Sequence, residues 1–198
     1  MSPPSTSLER QIDFLVEIDK LKEVIRQSPL ISRSRRENSA EHSWHLAMYA
    51  LVLATHAPAG VNIDRVIRML LIHDLVEIDA GDVPVLGQYD AARQAADEER
   101  AADRLFGLLP PEQGEPLKAL WHEFEARQTP DARFAKALDR FQPLIHNVQT
   151  GGGTWRTFKP SYEKVTALYG SAIGGGATEL WDYARPLVDR YFGQGEDG

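Results

Sequence analysis

The chain has 198 residues, no cysteine and a formal net charge of −7. That acidity argues against a nucleic acid polymer as partner, since backbone binding needs a basic surface. The missing thiols exclude disulfides and thiolate metal sites and favour a cytoplasmic setting. With 42% hydrophobic and 26% charged residues the composition suits a globular domain. No apolar run approaches the roughly 20 residues that span a bilayer, and the polar residues 1–10 lack the apolar stretch of a secretory leader.

Apolar residues at Leu8, Ile12, Leu15, Val16, Ile18, Leu21, Val24 and Ile25 recur near a 3.6 period and predict a first helix over 8–27, closed by Pro29. Residues 28–36 read as a polar, basic loop. Arg26, Arg33, Arg35 and Arg36 form a basic patch there, which suits a small anionic ligand or simply a solvated loop. Asn38 or Ser39 caps a second helix running to about residue 56, with Trp44 expected in the core. A third starts after Asn62 and runs through His73-Asp74 to just before Gly81. A loop containing Pro84 and Gly87 follows. An Ala-rich helix is expected over 91–109, another over 112–127 after Pro110-Pro111, and another from Thr129-Pro130 through Phe141. Two triple-glycine stretches, beginning at Gly151 and Gly174, read as loops. Shorter helices are expected over 160–169 and 177–192. No segment shows sustained period-2 alternation. The chain therefore predicts an all-α bundle of about seven or eight helices in one domain spanning 1–198, with its core in 8–146 and the C-terminal helices of 160–192 packed on it.

The chemistry is concentrated in three places. His42 lies in Ala40-Glu41-His42-Ser43-Trp44-His45, a His73-Asp74 doublet follows the run Met69-Leu70-Leu71-Ile72, and Asp139 lies far downstream. Neutral imidazoles and carboxylates are good ligands for a divalent transition metal, and facing helices of a bundle can bring such residues to one point. A single helical His is more often structural. Glu77 follows His73 by four residues and Asp74 by three, on the same helix face. Asp82 stands in the turn after it.

Three segments together resemble the HD-domain superfamily of metal-dependent phosphohydrolases, and within it the 5′-deoxynucleotidases and related small HD-domain hydrolases. They are Arg36-Glu37-Asn38-Ser39-Ala40-Glu41-His42-Ser43-Trp44-His45, the stretch from Leu71-Ile72-His73-Asp74 to Gly81-Asp82, and Phe134-Ala135-Lys136-Ala137-Leu138-Asp139-Arg140. The resemblance implies an HD-type helical fold and one divalent ion (manganese, cobalt, iron, nickel or zinc) held by His42, His73, Asp74 and Asp139. A second ion lacks candidate ligands, since only His122 lies between the doublet and Asp139. Glu77 and Asp82 are implied to manage protons and the attacking water. Arg33 and Arg35, the nearest cations in sequence before His42, are the candidates to hold the phosphate. The nucleotidases carry an Arg-Trp pair shortly after the first helix. Counting back from His42, Gln27 and Ser28 stand there, a departure that bears on substrate class.

The resemblance thus implies a hydrolase of a small phosphate monoester such as a (deoxy)nucleoside 5′-monophosphate, with no nucleic acid polymer or membrane as partner and a homodimer as assembly. Two alternatives remain. One is an HD-type hydrolase of a nucleoside triphosphate or cyclic phosphodiester, and the other a helical protein that binds metal or nucleotide without turnover.

Overall fold

The computed structural model describes residues 6–193; the leader expectation for residues 1–10 falls partly on 1–5, outside the described residues. The first helix, α1 (Ser7–Ile18), starts at a capping box between Thr6 and Glu9. It ends earlier than its periodicity predicts. A 3-10 turn over Asp19–Glu23 leads into strand β1 (Ile25–Pro29), which pairs antiparallel with β2 (Arg36–Asn38), Ile25 opposite Asn38 and Pro29 opposite Arg36. The helix expected over 8–27 is thus α-helix to Ile18, a 3-10 turn to Glu23 and strand from Ile25. Pairing with β2 captures the β-branched Val24-Ile25 segment, a tertiary preference that a helical period does not register. Both strands are too short for alternation to show.

Asn38 ends β2 and caps α2 (Ser39–Val52), with Glu41 completing a capping box. Helix α3 (Ile63–Ile72) begins at Asn62 and stops at His73. Residues 73–76 then run in tight turns (Leu75 N–H to Ile72 O, Glu77 N–H to Asp74 O) before the single turn α4 (Glu77–Ala80). The continuous helix expected to Gly81 is therefore interrupted at the His-Asp doublet. Gly81 ends α4 with φ of 77°, a conformation that favours glycine.

Asp90 caps α5 (Ala91–Phe106), Pro111 opens α6 (Pro111–Ala126), and Thr129-Pro130 opens α7 (Pro130–Gln149). Then come α8 (Gly153–Phe158), α9 (Tyr162–Gly176) and α10 (Thr178–Gly193). The architecture is all-α apart from the one hairpin. The Gly174 stretch is helix, not loop. A Cβ at Gly176 would collide with the Arg133 carbonyl, and one at Gly170 would press on the Trp181 ring, so these glycines let α9 lie close to α7 and α10.

Helix α7 is the axis: it packs against α2, α3, α6, α9 and α10. Its Phe134, Leu138 and Leu144 are fully buried, each worth roughly 1.5–3 kcal/mol on folding. A smaller cluster around Phe14, Leu21, Leu75, Phe106 and Trp121 lies beside it, and Ile72 packs against both. Leu180 and Val188 of α10 join the larger cluster, so that helix packs within the chain. Trp44, expected in the core, is 62% exposed because α2 turns Leu46 and Ala50 inward instead. Among the described residues no helix is long and apolar enough to cross a membrane.

Candidate functional site

Helix α2 carries His42 on its buried face, the end of α3 presents His73, and α7 presents Asp139. One donor atom from each lies within 4.8 Å of the others. Asp139 Oδ1 is 3.2 Å from His42 Nε2 and 3.7 Å from His73 Nε2. Asp74 flanks this set, with Oδ1 3.0 Å from His73 Nε2 and Oδ2 2.7 Å from Arg26 Nη1. His73 Nδ1 lies 2.9 Å from the Leu70 carbonyl, so Nδ1 carries hydrogen and Nε2 turns its lone pair to the cluster.

Several buried atoms here have no hydrogen-bond partner: His73 Nε2, His42 Nδ1, Glu37 Oε1 and Arg26 Nε. Buried polar atoms are rarely left unpaired without a functional reason. Ligands held at roughly 2.0–2.2 Å from one ion stand about 3–3.5 Å from each other. The 3.2 and 3.7 Å separations, the bare His73 nitrogen and the mixed imidazole–carboxylate donor set all fit a divalent ion.

The electrostatics agree. Burial pulls the His73 pKa down, but Asp74 and Asp139 outweigh it and push it up to about 10. Without a metal ion, a proton supplies the positive charge these carboxylates demand. Burial works against Asp139, yet Lys136 and Arg140, then His42 and His73, hold it well below the usual carboxylate range. Lys136 Nζ is 3.1 Å from Asp139 Oδ2 and lies over the Phe124 ring. Glu77 moves the other way: burial and then the Asp74 charge raise its pKa well above normal, with Arg26 opposing. Asp82 is also raised, by burial first.

The sequence expectation placed Arg33 and Arg35 at the phosphate. The structure does not bring them to the cluster. Arg33 is exposed in the hairpin loop, and Arg35 forks onto Glu41. Beside Lys136 and Arg140, which face Asp139, the cation that reaches Asp74 is Arg26, on β1. Its Nη1 reaches Asp74, stands 3.8 Å from Glu77 and 3.6 Å from Asp82, and its side chain is 11% exposed. The sequence reading set Arg26 in the basic patch but took Arg33 and Arg35 from it for the phosphate, because residues 8–27 read as helix. A lone arginine at the end of the apolar run Val24-Ile25 was the available signal. Glu37 was also missed as a buried acid, at 1% exposure.

Glu77 and Asp82 do arrive beside Asp74 through Arg26, and Ser39 Oγ donates to Glu77 Oε2 at 2.6 Å. A cavity of about 220 Å³ opens from this cluster. Arg26, Gln27, Ser28, Tyr89, Lys136 and Tyr169 contribute to its walls. Glu125 lines it too, whereas His122 sits outside on Glu99.

Residues 18–181 match the HD domain family. The chain belongs to that family. A protein of known structure, a predicted metal-dependent phosphohydrolase from Magnetospirillum magnetotacticum MS-1, is 52% identical, with a TM-score of 0.89 over 96% of this chain and 98% of that one. The 5′-deoxynucleotidase of Erwinia tasmaniensis is 29% identical over 78% of this chain and 82% of its own. The human 5′-deoxynucleotidase HDDC2 is 28% identical over 68% of this chain, and the match spans 65% of the human protein's length.

Proposed function

We propose that this HD-domain protein is a metal-dependent phosphohydrolase of small phosphate monoesters, with (deoxy)nucleoside 5′-monophosphates as its substrate class. The observation that carries the reading is a buried arginine set beside a His-His-Asp cluster with an unpaired imidazole nitrogen. Similarity to two 5′-deoxynucleotidases supports the substrate class.

His42, His73 and Asp139, with Asp74, would hold the ion, which is one of manganese, cobalt, iron, nickel or zinc. When bound, it supplies charge neutralisation at a phosphoryl oxygen and acidifies a neighbouring water. Arg26 meets the phosphate as a charge-assisted guanidinium donor, beside its bond to Asp74. A carboxyl with a raised pKa accepts a proton more readily than an ordinary carboxylate and, once loaded, donates one. Glu77 accordingly takes a proton from the water that attacks phosphorus, and Asp82 gives one to the departing ester oxygen. Six carboxylates line the cavity against four Lys or Arg side chains, a balance that disfavours a triphosphate. A cytoplasmic, homodimeric protein completes the reading. The lack of cysteine supports the first part, and the exposed apolar residues Leu8, Leu15 and Val16 on α1 and Leu51 and Val52 on α2 support the second.

The test is to strip the protein, reload it with each of the five ions and offer a nucleotide panel including mono- and triphosphates. Phosphate release from monophosphates with at least one ion is the expected result. A protein that retains metal yet releases phosphate from no ester is a binding protein, and the proposal fails. Sedimentation of the same preparation reads the assembly.

A further inference from the structure

Three of the unpartnered buried atoms surround one point. Glu37 Oε1 lies 3.5 Å from His42 Nδ1 and 3.6 Å from Arg26 Nε, and each of the three lacks a hydrogen bond. The other carboxylate oxygen is engaged, since Gln142 Nε2 of α7 donates to Oε2 at 3.1 Å. Gln142 Nε2 also stands 3.1 Å from His146 Nε2, and His146 Nδ1 is 3.2 Å from the Pro29 carbonyl, which ties the arrangement back to β1. An ordinary N–H···O bond is about 2.9–3.0 Å long, so a shift of a few tenths of an ångström would let one oxygen accept from both donors.

We infer that Glu37 is a positioning residue that links the imidazole of His42 to the guanidinium of Arg26, so that the metal-holding and phosphate-holding halves of the site are aligned by one carboxylate. The inference rests on the metal-dependent phosphohydrolase reading above. His42 uses Nε2 toward the cluster, so its hydrogen belongs on Nδ1, where Glu37 waits as acceptor. Arg26 spends Nη1 on Asp74 and has Nε free for the same acceptor. Among the described residues nothing else is placed to hold both at once: Asp74 meets Arg26 and His73, and Asp139 meets the two imidazoles. A carboxylate accepts roughly twice as strongly as a neutral amide, so replacing its charge alone weakens both links.

The experiment compares wild type with Glu37→Gln. Cobalt(II) is titrated in competition with a chelator and followed by its absorption spectrum, with no turnover required. Inorganic phosphate is then titrated onto each cobalt-saturated protein. The expected result is a loss of metal affinity of about ten- to a hundred-fold, the usual cost of removing a ligand's hydrogen-bond partner. Alongside it, phosphate affinity falls and KM for the ester rises at saturating metal. Unchanged metal affinity in a variant with a wild-type melting curve overturns the inference. So does weakened metal binding with unchanged phosphate binding, because Glu37 would then serve His42 alone. Should Glu37→Gln fail to fold, Gln142→Met decides: releasing Oε2 shifts both affinities the same way by a smaller factor, and no shift refutes the link. Wild type that binds no cobalt sinks the underlying reading instead, a distinguishable failure.

Discussion

His42, His73 and Asp139 reach the cluster from helices, whereas Arg26 and Glu37 reach it from a short hairpin. The helical side is held by local devices: Asn38 and Glu41 start α2, Asn62 starts α3, and Thr129-Pro130 starts α7. The hairpin side is held by partners distant in the chain, Asp74 and Gln142 among them. The two sides meet at buried charges, where neither is satisfied alone. The molecule thus builds its His-His-Asp cluster on locally encoded helices and its buried arginine on a hairpin held by contacts distant in the chain.

Mutations on each side should separate these contributions. The largest effect belongs to the helical side: His73→Ala or Asp139→Ala should weaken metal binding by more than about 100-fold, beyond the usual cost of losing a ligand's supporting partner, and take phosphate release to background. Cobalt titration and a phosphate assay check both. Arg26→Met on the hairpin should instead keep the metal and cut kcat/KM. Charge-assisted bonds worth about 1.5–3 kcal/mol at about 1.4 kcal/mol per decade give roughly a ten- to hundred-fold loss. If Arg26→Met also empties the site of metal, the two sides are not separable as described. Asn38→Ala, at their junction, should cost about 1 kcal/mol and lower Tm by roughly 2–4 °C, with kcat/KM held at saturating metal; calorimetry and kinetics together check it. The smallest effect is expected from Arg33→Ala and Arg35→Ala, both exposed in the hairpin loop. Neither should alter kcat/KM measurably, and a large loss in either would return the phosphate to the loop.

The same division explains what could be read beforehand. Caps and opening prolines announce α2, α3, α6 and α7, and an Ala-rich charged run announces α5, because those signals lie within or beside the helices they mark. His42, the doublet and Asp139 ride on those helices or their ends, so the cluster of His42, His73 and Asp139 with Asp74 at its flank was legible once the three segments were seen together. Arg26 and Glu37 were not, because the value of each depends on a strand partner and on carboxylates dozens of residues away. The Gly174 stretch misled for a related reason. Three glycines normally signal a loop, but here they end a helix: α7 approaches too closely for a side chain at Gly176, whereas Gly174 meets Trp181 at ordinary contact distance and Gly175 faces open space.

Asp139 divides its two oxygens between opposite duties. Oδ1 faces the imidazoles, while Oδ2 is claimed by the Lys136 ammonium at 3.1 Å and approached by Arg140 at 3.6 Å. A carboxylate restrained in this way lends a cation one tooth rather than two. An ion seated here would draw few bonds from the protein and keep vacant places for solvent or ester, the hallmark of a working centre as opposed to a structural rivet. By that logic the lysine three positions upstream would set how much of such an ion's coordination sphere is left for chemistry.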